Sequence, residues 1–148
     1  MDKNYLIKTA SLIKDVSPET AEEYIQKAEQ LTYRINSLML ARTDIDNLVG
    51  KNNIDMMKDN HSNHVRFIGS ILRNNNPHVL VHTVLWVFRV YINHGFAPNY
   101  WASQLNAWFF ILEEILTEKS YSEVYPFYEW MQVNIPIFVK VCKEEIDS

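Results

Sequence analysis

Apolar residues recur at helical spacing along almost the whole chain. In the segment 53–73 the stripe Ile54, Met57, His61, His64, Ile68, Ile71 advances in alternating steps of three and four. That is the period of one face of an α-helix. Tyr121, Val124, Tyr128, Met131, Ile135, Phe138 and Cys142 repeat the same steps near the C-terminus, and Phe127, Trp130, Ile137 and Val141 form a second stripe beside them. Strand signals are nearly missing, with no long alternating run and no Asn-Gly or Asp-Gly hairpin turn. The pattern predicts an all-α chain.

Polar and proline punctuation divides this pattern into about seven helices. The first covers residues 2–15. Ser17-Pro18-Glu19 supplies a cap, a first-turn proline and a first-turn carboxylate, which starts a helix running to about Ala41. Thr43-Asp44-Ile45-Asp46 reads as a weak capping box for a one- or two-turn helix stopped by Gly50. Further helices are predicted over 53–73, 77–94, 98–116 and 120–145, with Asn76 capping and Pro77 opening the 77–94 segment. Nothing resembles a linker or a repeat, so 1–148 is read as one helical domain. The apolar face of the last helix is wider than one core contact requires. Burial between two neighbouring helices explains it, and so does a homodimer or partner interface. Pro136 lies within that helix and predicts a kink or break, because it cannot donate to the carbonyl of Gln132.

Composition narrows the function more than it names it. The 148 residues are 47% hydrophobic with a net charge of −4, which argues against a nucleic-acid partner. The single cysteine, Cys142, excludes an internal disulfide and a multi-cysteine metal site. No apolar run reaches the roughly 18 residues of a membrane span, and the first residues lack a signal-sequence pattern. A cytoplasmic protein is expected.

Two histidines on an otherwise apolar stripe are the main chemical signal. His61 and His64 lie about 60° apart on one helix face. A buried imidazole needs partners and stays neutral, so the pair is either satisfied core or the wall of a pocket. His78 and His82 have the spacing of a metal pair, but a solvated face explains them with Arg89 and Asn93. No zinc, di-iron, phosphate-loop or nucleophile motif occurs. Trp86, Phe88, Tyr91, Phe96, Tyr100, Trp101 and Trp108 are grouped around Gly95 and suit either a core or a flat hydrophobic cavity.

The run Arg89-x-Tyr91-x-x-x-Gly95-x-x-Pro98 resembles the helix corner of the globin-like superfamily, which includes sensor globins, the non-heme domains of stressosome sensors and phycobiliproteins. Gly69-Ser70-Ile71-Leu72 and the Asn-rich turn after it resemble the preceding globin helix. The likeness covers about residues 53–116. It implies a globin-like bundle, with Asn60 near the distal position and His64 about one turn deeper. Where heme sensor globins carry their iron-binding histidine this chain has Tyr91, and His94 is three residues off register. Lys58-Asp59 loosely resembles the bilin-holding Arg-Asp pair of phycobiliproteins, but no cysteine lies near Met56 to attach a bilin.

The resemblance therefore implies a non-enzymatic sensor or regulatory domain that binds a small hydrophobic or weakly polar ligand or transmits a signal with no cofactor. The expected site is Asn60, His61, His64, Ile68 and Tyr91, with His94, Phe96 and Trp101 at its mouth. Output would pass through a homodimer made by the last helix or through a signalling protein. The alternatives are a heme protein ligated through His64, His94 or Tyr91, and a metal-dependent enzyme using the paired histidines.

Overall fold

The computed structural model describes residues 2–147, with side chains as far as Glu144. Helix makes up 80% of the chain, and among the described residues there is no strand. The helices are α1 (Lys3–Ala10), α2 (Pro18–Gln26), α3 (Ala28–Leu40), α4 (Ile45–Val49), α5 (Ile54–Arg73), α6 (Pro77–Asn93), α7 (Asn99–Ile115), α8 (Glu118–Val133) and α9 (Ile135–Asp147). None of them is long and apolar enough to cross a membrane.

Two of the nine helices among the described residues come from division of longer predicted ones. The 17–41 segment is interrupted at Lys27, whose φ of −93° and ψ of 11° take it out of the helix. The last segment breaks at Asn134, leaving Pro136 at the second position of α9. There its missing N–H costs no helical hydrogen bond. The Asn134 amide closes the break by donating to the Trp130 carbonyl at 2.8 Å. Pro126, by contrast, sits inside α8 without ending it.

Side chains cap the starts of α1, α2, α6 and α8. Ser17 accepts from the N–H of Thr20 at 3.3 Å, and Asn76 accepts from the N–H of Val79 at 3.2 Å. The expected box at 43–46 does not form. Asp44 makes no side-chain cap and instead pairs with Arg42 at 2.8 Å.

The core runs through the centre of the bundle. Helix α3 packs on α5 and α7, α2 packs on α5 and α8, and α7 lies along α8. Helix α6 rests mainly on α9 and α1 and not along α5. That choice of neighbours leaves room between α5 and α6.

The two stripes of the C-terminal segment are covered by the chain itself. Val124, Phe127, Tyr128, Trp130, Met131, Phe138, Val141 and Cys142 are all buried within this single chain, shared between the α2–α7 side and α6. Burial between neighbouring helices thus accounts for the wide face that had suggested a homodimer.

Candidate functional site

The α6–α7 corner is built by backbone geometry. Gly95 has φ +101°, a conformation that L side chains rarely adopt. The N–H of Gly95 donates to Ile92 and that of Phe96 to Tyr91, each at 3.0 Å. Together they make a Schellman cap on α6. The corner is tied to α4 and α5. The Asn53 amide donates to the carbonyls of Val49 at 2.8 Å and His94 at 2.7 Å, and the N–H of Ala97 donates to Leu48 at 2.8 Å.

Behind this corner α5, α6 and α7 enclose a cavity of about 200 Å³, with Met131 of α8 completing the wall. Its apolar lining includes Phe67, Ile68, Val84, Val87, Phe88 and Leu105. Asn60, His64, Tyr91, Trp101 and Gln104 add polar atoms. Exposed Asn63, half-buried Thr83 and Trp86, which is 54% exposed, also line it and place its mouth between α5 and α6.

Five of the eight residues singled out from the sequence meet here: Asn60, His64, Ile68, Tyr91 and Trp101. The other three are placed differently. His94 is exposed, and at the corner it is its carbonyl that is engaged. Phe96 is 2% exposed and packs its ring edge-on to Tyr91 and Tyr100, away from the mouth. His61 lies one layer behind the wall. The aromatic group is likewise less uniform than its sequence spacing suggested, because Trp86 faces outward and Trp108 stacks on His64 at 5.1 Å.

His61 joins a buried polar chain. Its Nδ1 lies 2.6 Å from Asn36 Oδ1, so that nitrogen carries the proton and donates. Its Nε2 lies 3.0 Å from the Tyr100 hydroxyl. Burial drives its pKa down to about 3, with a smaller contribution from His64. The Tyr100 hydroxyl is equally near Asn60 Oδ1, at 3.0 Å, but a neutral ring with Nδ1 protonated must accept at Nε2, so Tyr100 gives its proton to His61. Gln104 then donates to Tyr100 at 2.9 Å and to Asn60 Oδ1 at 2.8 Å.

His64 belongs to a second chain. Tyr24 and Tyr128 hydroxyls are 2.6 Å apart, and the Tyr128 hydroxyl is 2.8 Å from His64 Nε2. Among the described residues Tyr24 has no other hydroxyl partner. If His64 donated to Tyr128, the buried Tyr24 proton would be stranded, at a cost of about 1–3 kcal/mol. The satisfied order is Tyr24 to Tyr128 to His64 Nε2. That order leaves the proton of neutral His64 on Nδ1. Burial also lowers the His64 pKa to about 3 and raises those of Tyr128 and Tyr24, so every member of this chain is uncharged at neutral pH.

Two indole N–H groups, Trp101 Nε1 and Trp108 Nε1, are buried with no acceptor. Among the described residues no three His, Cys, Asp or Glu side chains come together as a metal-binding group. His78 and His82 are both exposed on α6.

The sequence pattern missed the partners of the histidines. Asn36 comes from α3, Tyr24 from α2 and Tyr128 from α8, elements distant along the chain. Gln104 carried a usable signal. It is polar and falls between Trp101, Leu105 and Trp108 on the face of α7 that packs inward.

No protein-family model, curated protein or solved structure matches this chain.

Proposed function

We propose that this chain is a globin-like, non-enzymatic sensor or regulatory domain that takes a small, mainly apolar ligand between α5 and α6 and passes its state to a partner protein. The observation that carries the reading is the cavity itself. It lies between α5 and α6, behind the α6–α7 corner whose Gly95–Pro98 sequence resembles that of globins, and its lining is apolar with a few polar groups, as ligand pockets are.

The volume of about 200 Å³ lies below the roughly 300–1,000 Å³ of pockets for drug-sized molecules and cofactors. This favours a compact ligand over heme. The paired histidines are occupied as well: both nitrogens of His61 and one of His64 are already hydrogen-bonded. A metal there would have to displace Asn36, Tyr100 or Tyr128.

His64 supports the regulatory part of the reading. It touches the cavity on one side and, through Tyr128, reaches α8 and Tyr24 of α2. Ligand contact at His64 would bias the α2–α8 pair.

Methyl-resolved NMR of the full chain during titration with cumene and acetophenone tests the proposal. Saturable shifts centred on Ile68, Val84, Val87 and Leu105, with slower hydrogen exchange in α2 and α8, are expected. Absence of saturable shifts with both compounds would overturn it. A heme Soret band lost in Tyr91→Phe would replace it with the heme reading.

A further inference from the structure

The polar atoms of the cavity are unequal in what they can accept or give. Hydroxyls and carboxamides can take either role. Two groups cannot. Trp101 lines the cavity, is 4% exposed, and carries a buried indole N–H with no acceptor. An indole N–H is only ever a donor. His64 also lines the cavity, and the tyrosine chain behind it fixes its proton on Nδ1. Among the described residues nothing accepts from that nitrogen.

Unpaired buried donors are uncommon in native proteins, and each needs an explanation. Here Trp101 Nε1 is such a donor; His64 is half-buried and its Nδ1 has no acceptor among the described residues, and both residues line one small chamber. No lining residue is Asp, Glu, Lys or Arg, so a charged ligand would meet no countercharge and would lose its hydration. A carbonyl oxygen fits the pair best. It has two lone pairs and brings no proton of its own, whereas an alcohol brings one that needs a further acceptor.

Size sets a second limit. A cavity of about 150 Å³ lined by Leu, Ile and Phe holds benzene. By the same scale the roughly 200 Å³ here suits about eight or nine non-hydrogen atoms.

We propose that the cavity binds a neutral, compact, mainly apolar carbonyl compound, its oxygen accepting from Trp101 Nε1 and His64 Nδ1 and its hydrocarbon part packed against Ile68, Val84, Phe88 and Leu105. This inference rests on the pocket reading above and adds the chemistry of the ligand.

Calorimetric titration of the full chain with acetophenone, cumene and benzoate tests it. The three molecules have similar size and differ in the group offered to the donors. Acetophenone is expected to bind about fivefold or more tighter than cumene, the gain typical of a net hydrogen bond. Benzoate is expected to bind more weakly than both. The carbonyl stretch of bound acetophenone should move to lower frequency. In Trp101→Phe, which keeps a ring and removes only the donor, the preference over cumene should shrink and part of the infrared shift should disappear. Equal affinities of acetophenone and cumene for the native chain would overturn the carbonyl inference and leave the pocket reading standing. An unchanged preference in Trp101→Phe would overturn the role of Trp101. Tightest binding by benzoate would overturn the neutral ligand. Failure of acetophenone and cumene alike would overturn both this inference and the pocket reading.

Discussion

The backbone N–H of Thr117 donates to Glu23 at 2.8 Å, so a carboxylate of α2 caps the start of α8. The relation is reciprocal. Glu123 of α8 accepts from the backbone N–H of Ser17 at 2.6 Å at the start of α2. Thr117, Ser120 and Lys27 side chains add donors to Glu23. Both ends of α2 are thus clamped to the N-terminal half of α8, and the tyrosine pair that reaches His64 joins the same two helices. Burial raises the Glu23 pKa, but these hydrogen bonds outweigh it and set it at about 2. A carboxylate with a lowered folded pKa stabilises fully above its unfolded value and loses that contribution as pH falls through the folded one. Glu23→Gln is therefore expected to lower stability by about 1–3 kcal/mol at pH 7. The difference from the native chain should narrow between roughly pH 4.5 and 2. Urea unfolding across that range checks it, and a difference constant with pH would rule it out.

The buried histidines act at higher pH in the same direction. Both rings have pKa values of about 3 when folded, against an ordinary value of about 6.5. Between these limits the unfolded chain binds protons that the folded chain does not, so stability rises with pH. Acidification from about pH 6.5 should cost up to about 1.4 kcal/mol per pH unit for each histidine. Guanidinium unfolding at pH 7, 6 and 5 is expected to show a slope approaching two protons. His61→Gln should reduce the slope by about one, whatever it does to absolute stability. A flat profile from pH 7 to 5 would show that the rings titrate normally.

The helical architecture was legible because most helices here bury one face, and one-sided burial leaves a periodic trace. The α5 stripe shows this, with Met57, His61, Ile68 and Ile71 all buried. His64 was legible as an inward residue for the same reason. The breaks at Lys27 and Asn134 were less legible, since the apolar pattern continues across both; Pro136 alone marked the second. The site was readable on α5, where polar residues interrupt an apolar stripe. It was unreadable on α8, because Tyr128 fits a packing seam and its hydroxyl acts only in three dimensions. His94 misled for a local reason. Its place beside Gly95 suggested a pocket mouth, but at a Schellman cap the backbone does the work and the ring faces solvent.

Gly50 and Gly95 separate strain from crowding. Both have positive φ, +91° and +101°. A Cβ on Gly95 would come no closer than 3.8 Å to its neighbour Asn53, while one on Gly50 would meet the Gly95 carbonyl oxygen at 3.1 Å. Gly95→Ala is expected to cost about 1–2 kcal/mol from backbone strain alone. Gly50→Ala should cost more, because the two loops must also move apart. Thermal unfolding of the two variants checks the order, and a reversal would mean that the corner relaxes freely.

Phe138 decides what the C-terminal seam is for. Its ring is fully buried against Phe88 and Trp130, at centroid distances of 5.1 and 5.3 Å. Those partners belong to α6 and α8 of the same chain. Phe138→Ala should therefore cost about 3–5 kcal/mol, as truncation of a core phenylalanine does. Its cost should not depend on how much protein is present. A side chain buried between two copies would behave otherwise, since the stability of a folding dimer rises with protomer concentration. Unfolding midpoints of the native chain and the variant, measured over a hundredfold range of concentration, distinguish the two. Parallel, concentration-independent midpoints are the expected result. A gap between them that changes with concentration would return the seam to the role of an intermolecular interface.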